Sequence, residues 1–221
     1  MQPEAETLNQ LDLSRGEIHQ TWSMEKDGVR LKAKSICNEF KSGISEESSS
    51  FFTLNERRVS QWDLRDRRGI ARDLLYKCGS QYTGNPNFQC MGVSGNGDLA
   101  LGSEDGVVSL YSARVLSRAK MKFPSLKQPI RHLDVSYGGS LVLATFDLDL
   151  VLLCTLLTNK EGEMKSAFSC KVTKNWETSS PIFLRPTSKD AGLMRGHFLH
   201  DGRFSWVSGQ CSSVIRCTVL L

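Results

Sequence analysis

Asp105 and Asp147 stand at matching places ahead of apolar runs, and a pair of carboxylates is what general acid–base chemistry uses. Recurrence at equivalent positions argues instead for architecture: an aspartate in a tight turn accepts bonds from nearby main-chain N–H groups and fixes the turn. His197 and His200 are three residues apart beside Asp201, a spacing that suits metal ligands on a helix. The segment reads as strand and turn, with no third or fourth ligand nearby, and His19 and His132 belong to other parts of the pattern. The run Gly92-Val93-Ser94-Gly95-Asn96-Gly97 has the outline of a nucleophile elbow, but Asn96 stands where the last glycine belongs and no helix follows. The same lack of a helix excludes a dinucleotide loop. No catalytic, cofactor or metal site is therefore expected.

The residues that remain are suited to binding. Arg57, Arg58, Arg65, Arg67 and Arg68 lie in neighbouring turns and could form a basic rim that meets an acidic partner or phosphate, although Asp63 and Asp66 sit among them. Of the tryptophans, Trp62 and Asp63 form a dipeptide inside an alternating strand and read as packing and turn residues. Trp176, in a polar irregular stretch, is the best candidate for an exposed aromatic anchor.

What must position these side chains is a repeat. FQCMGVSGNGDLALGSEDGVVSLYS, from Phe88, aligns without a gap on IRHLDVSYGGSLVLATFDLDLVLLC, from Ile130, at an offset of 42 residues. Val93 matches Val135, Ser94 Ser136, Gly97 Gly139, Leu99 Leu141, Ser103 Thr145, Asp105 Asp147 and Leu110 Leu152. Short alternating strands with glycine turns at a period in the low forties are the pattern of a WD40-like β-propeller, one four-stranded blade per repeat. Asn96-Gly97 marks one of the hairpins. QLDL near residue 10 and QWDL near residue 61 carry the same grammar, with Tyr111 and Leu153 standing where Trp62 does.

The fold class expected is all-β: a partial propeller of about four blades in one domain, 1–221. Residues 1–6 are a lead, 7–24 a half blade, 25–75, 88–122 and 130–172 blades, and 173–221 a degenerate or truncated last blade. Val29 to Ile36 is expected to contribute one strand and Met164 to Val172 the outer strand of the second copy. Because open blade arrays leave unpaired edges, the pattern predicts a ring cut at both ends unless something covers it. Asp149 lies inside an apolar run, where an unpaired carboxylate is costly.

A net charge of +4, from 28 basic and 24 acidic residues, is too mild to dictate a polyanionic partner. Seven cysteines with no CxxC pair fit neither a disulfide framework nor a zinc ribbon, which points to a reducing compartment. The acidic start MQPEAETLNQ is no secretory signal, and the longest apolar run, Leu150 to Leu157, is far short of a membrane helix.

Several irregular motifs resemble the C-terminal WD40-like domain of the vacuolar import and degradation family numbered twenty-seven in yeast, with plant CYPRO-type, or defective-embryo-and-meristems, proteins as the nearest relatives. They are Thr7 to Asp12, Gln61-Trp62-Asp63 with Arg65 to Gly69, Asn87 to Cys90, Gly102 to Ser112, Arg118-Ala119-Lys120 with Phe123-Pro124, His132 to Val135 and Leu150 to Thr155. Asp149 departs from the pattern, as does Pro124-Ser125-Leu126-Lys127. The resemblance implies a non-enzymatic propeller, cytoplasmic and also nuclear, that binds protein partners without cofactor or metal. Two alternatives stand beside it: nucleic-acid or phospholipid binding through the basic turns, with nucleic acid the weaker of the two partner classes, and a truncated, impaired paralogue.

Overall fold

The computed structural model describes residues 7–23, 25–26, 29–30, 32–41, 50–55, 58–63, 65, 70–73, 87–170, 175–194, 198–205 and 215–219. Among them one short helix, α1 (Ser188–Met194), interrupts a succession of antiparallel sheets. The chain opens with the hairpin β1 (Thr7–Asp12) and β2 (Glu17–Ser23), in which Leu8 faces Trp22 across the ladder. A two-residue pair follows, β3 (Glu25–Lys26) with β4 (Val29–Arg30). Next comes a four-stranded meander, β5 (Ser35–Asn38), β6 (Ser50–Asn55), β7 (Arg58–Asp63) and β8 (Ile70–Asp73), each strand bonded to its successor.

The first copy of the repeat folds as a second meander, β9 (Phe88–Val93), β10 (Leu99–Ser103), β11 (Val108–Tyr111) and β12 (Met121–Phe123). Every residue of β10 and β11 is buried, in keeping with their nearly continuous apolar sequence: the middle of this sheet is covered on both faces. The turns come from the glycines of the repeat. Gly97 and Gly139 occupy equivalent positions with φ of 80° and 71°, a region that L side chains enter only with strain. Ser94 and Ser136 are likewise equivalent, and each hydroxyl accepts main-chain N–H groups of the turn that follows, from Asn96 and Asp98 in one copy and from Leu141 in the other.

The second copy begins in the same way, with β13 (His132–Val135), β14 (Leu141–Thr145) and β15 (Leu150–Cys154), and then departs from it. After β15 a separate sheet forms from β17 (Met164–Ser166), β16 (Leu156–Asn159) and β18 (Trp176–Thr178), in that spatial order. The strand bonded to β15 is β19 (Ile182–Leu184), where the repeat predicts Met164 to Val172. The third and fourth strands are separated by 112–120 in the first copy and by 155–181 in the second, where the longer separation holds three strands of its own. A last hairpin pairs β20 (Leu199–Phe204) with β21 (Ile215–Val219).

The sheets stack through their first strands. β9 packs against β5 and β6 on one side and β13 on the other, and β13 in turn meets β20. Two apolar layers fill the gaps. Phe52, Leu54, Val59, Leu99, Leu101 and Tyr111 lie between the first and second blades. Ala100, Leu110, Leu133, Val142, Leu153 and Phe168 lie between the second and third. Each fully buried Leu contributes about 2 kcal/mol to holding neighbouring blades together. Three four-stranded blades flanked by the β1–β2 and β20–β21 pairs form an open, partial propeller.

Two further local expectations change. The stretch predicted as one strand over Val29 to Ile36 is divided between β4 and β5. Asp149 lies in the turn before β15, where its carboxylate accepts a bond from Arg185 Nε at 3.2 Å, just beyond β19. The charge is therefore paired, and the partner comes from the displaced outer strand.

Candidate functional site

The polar side chains that converge most closely lie on the first strands of the blades. His132 and Asp134 alternate with Leu133 and Val135 on β13, so both point to one face while the apolar pair enters the core. Lys41 follows β5 and is pinned over the end of β9 by the bond from its N–H to Ser94 O, 3.0 Å. From there its ammonium reaches Asp134 Oδ1 at 2.5 Å and the Val135 carbonyl, with both ionic side chains only 14% exposed. The other carboxylate oxygen of Asp134 accepts the Phe204 N–H at 2.8 Å. One carboxylate thus ties the first blade and the last hairpin to the third blade.

His132 makes the second link. Its Nδ1 lies 3.1 Å from the Gly202 carbonyl, so in this tautomer Nδ1–H donates, and Nε2 faces Asp201 Oδ1 at 3.9 Å. Gly202 N–H donates to Thr145 Oγ1 at 3.1 Å, and a Cβ on Gly202 would meet that oxygen at 2.5 Å. Burial holds the imidazole below its ordinary value, opposed by Asp201, while Arg203 adds to the depression. Burial also lowers the Lys41 ammonium, with Asp134 pulling it back up. A convergent acid, base and imidazole could serve proton transfer, but here their polar atoms are engaged with one another and with the β20 main chain. Among the described residues no group of three or more His, Cys, Asp or Glu side chains is placed to hold a metal ion.

The remaining candidates are distributed. Asp105 accepts within its turn from Ser103 Oγ at 2.5 Å and Val107 N at 3.4 Å. Asp147 instead holds Arg131 through two bonds, 2.7 and 3.1 Å, and is followed by Leu148 where Gly106 follows Asp105. Trp62 is 4% exposed, stacks on Phe51 and donates from Nε1 to Thr53 Oγ1 at 2.7 Å. Leu8 of the first hairpin packs on this pair. Asp63 accepts from both the N–H and the guanidinium of Arg65, which offsets that charge in the predicted basic rim. Arg58 begins β7. Arg57, Arg67, Arg68 and Asp66 lie outside the described residues, as does His197. His200 contacts Asp201 at 3.3 Å.

Trp176 is placed differently from its expectation as a loop residue. It stands on β18 opposite Asn159, half-buried, with one side against the core and Lys165 Nζ 4.6 Å from its ring centroid. The small sheet that carries it is rooted by Leu157, Ala167 and Phe168, all fully buried. Its hairpin is closed by Asn159, whose side-chain oxygen accepts from Glu161 N and Glu163 N. Beyond that root it exposes Met164, Lys165, Glu177 and Thr178. The Lys41–Asp134 bridge and the small sheet both escaped sequence reasoning. The alternation in His132-Leu133-Asp134-Val135 is the signal that could have revealed the first.

Stacked four-stranded meanders with a buried W-D tryptophan define a WD40-like β-propeller. In structure the chain is similar to the β-propeller domain of Cps50 (Swd1) from Myceliophteria thermophila, with a TM-score of 0.60 at 10% identity, covering 98% of this chain and 62% of that one. The VID27 C-terminal WD40-like domain matches residues 1–199, and the chain belongs to that family. It is 30% identical over 152 residues to vacuolar import and degradation protein 27 of Saccharomyces cerevisiae, and 27% identical over 156 residues to the protein of that name from Schizosaccharomyces pombe. These alignments cover 66% and 71% of the chain but 18% of each relative.

Proposed function

We propose that the chain is a protein-interaction scaffold with no chemistry of its own, and that the β16–β18 sheet is its principal recognition element. The observation that carries this is a sheet rooted on fully buried Leu157, Ala167 and Phe168 that nonetheless presents a half-buried tryptophan beneath a lysine. A rigid aromatic with exposed polar neighbours loses little conformational freedom on binding, which is the character of an interface hot spot. The engagement of Lys41, Asp134 and His132 in bonds between blades supports reading the inner cluster as glue rather than as a catalytic centre. Thiols not joined in disulfides at Cys37, Cys90 and Cys154, among the described residues, suit a reducing location, the cytoplasm with the nucleus as a second site. The irregular motifs that resemble those of plant CYPRO-type proteins support kinship with that branch.

The test is affinity purification of the chain and its Trp176→Ala variant from the same extract, with a thermal melt of each as a folding control. The scaffold reading expects partners enriched on the parent chain and lost from the folded variant. Identical partner sets on both would refute the role given to Trp176.

A further inference from the structure

Between Gly106 and Leu133 the chain has six basic residues and no Asp or Glu. Arg131 is held by Asp147. The other five, Arg114, Arg118, Lys120, Lys122 and Lys127, form no ion pair with any described residue, and all but the half-buried Lys120 are exposed. The fold sets them along one border of the second blade. Arg114 and Arg118 lie in the turns leading out of β11, Lys120 stands just before β12 and Lys122 on it, and Lys127 follows in the connection to β13. β12 ends the strand order of its sheet, so one of its edges is without a ladder partner among the described residues. Phe123 and Met121 turn into the core, which leaves Lys120 and Lys122 on the opposite face, roughly 7 Å apart for two residues of extended chain.

A free strand edge and cations at the period of a strand are complementary to one kind of ligand. We propose that the outer edge of β12 docks an extended acidic segment of a partner protein by strand addition. Main-chain bonds along β12 would supply affinity, and carboxylates at alternate positions would face Lys120 and Lys122, with Arg114 and Arg118 continuing the attraction past the strand. Lysines at a sheet border also discourage edge-to-edge pairing between copies of a protein. That role alone predicts no affinity for an acidic peptide, so the two are separable. The proposal rests on the scaffold reading but uses a surface different from the β16–β18 sheet.

The probe is a short fluorescent peptide alternating Glu and Thr, titrated with the whole chain and followed by anisotropy. The comparison ligands are its Gln–Thr counterpart and a single-stranded oligonucleotide of equal charge. The acidic peptide should bind best and weaken by about tenfold as salt is raised well above physiological strength. The Lys120→Glu/Lys122→Glu variant should lose about tenfold or more in affinity, and Arg114→Glu/Arg118→Glu, which leaves the strand untouched, should lose a smaller factor. Equal binding of the Gln–Thr peptide, tighter binding of the oligonucleotide, or undiminished binding by both folded variants would each overturn the proposal. Absence of peptide binding while Trp176-dependent partner capture persists would overturn it and leave the scaffold reading standing. Failure of the parent chain to enrich any partner would remove the scaffold reading instead.

Discussion

Replacing Asp134 by asparagine should destabilise the fold far more than its near-identical shape suggests. The carboxamide keeps an oxygen for the Phe204 N–H but removes the counter-charge from Lys41, whose ammonium lies 2.5 Å away with its side chain 14% exposed. Breaking one side of a fully buried ion pair costs about 3–5 kcal/mol. With this residual exposure the lower end applies, about 2–3 kcal/mol, or a fall of roughly 5–10 °C in melting temperature for a chain of this size. Because burial lowers the Lys41 ammonium, the ion pair's support should recede as the lysine deprotonates, and the gap between the Asp134→Asn variant and the parent protein should narrow at alkaline pH. The double substitution Lys41→Met/Asp134→Asn removes both charges, keeps an oxygen for the Phe204 N–H and should recover most of the loss, a coupling of about 2 kcal/mol relative to the single variants Asp134→Asn and Lys41→Met. Denaturant titrations of the parent, the two single variants and the double variant provide the assay. A single variant within about 0.5 kcal/mol of the parent, or a double variant equal to the sum of the singles, would falsify the bridging role.

Three further outcomes follow from the packing. Gly202→Ala should lower stability by about 1–3 kcal/mol, because its Cβ would meet Thr145 Oγ1 at 2.5 Å and Leu150 Cδ2 at 2.9 Å; hydrogen exchange should accelerate in β20 before it does in β9–β11. Trp62→Phe should cost about 1–3 kcal/mol by deleting the buried bond to Thr53 and thinning the stack on Phe51, as read by denaturant midpoint. His132 has a folded-state value below its ordinary 6.5, so the unfolded chain takes up the proton first. Its contribution is then fully present above pH 6.5 and is lost as pH falls toward the folded value. His132→Gln, which can still donate to Gly202 O, should show a shallower decline of stability with acidification over that window.

The blades were legible because their information is local. Gly97 and Gly139 recur at the 42-residue offset and each acts within one hairpin, while the aligned Ser94 and Ser136 bind main-chain N–H groups of those same turns. The W-D position was legible for the same reason: Trp62 sits in an alternating strand whose inward face must be covered. Met164 to Val172 misled because alternation shows that a segment is extended, not which sheet edge it joins. Ile182–Leu184 pairs with β15 from beyond the small sheet, whose Leu157 and Phe168 enter the core. Lys41 and Asp134 are 93 residues apart, and no spacing rule connects them. Asp149 looked like a liability for the same reason, since its partner, Arg185, lies 36 residues downstream.

The scaffold account is tested most directly by hydrogen exchange on the whole chain with and without a partner obtained in the Trp176-dependent purification. It predicts protection across β16 to β18, with β5–β7 unchanged. Protection confined to the first hairpin or to the Lys41–Asp134 cluster, with β16 to β18 unaffected, would contradict it.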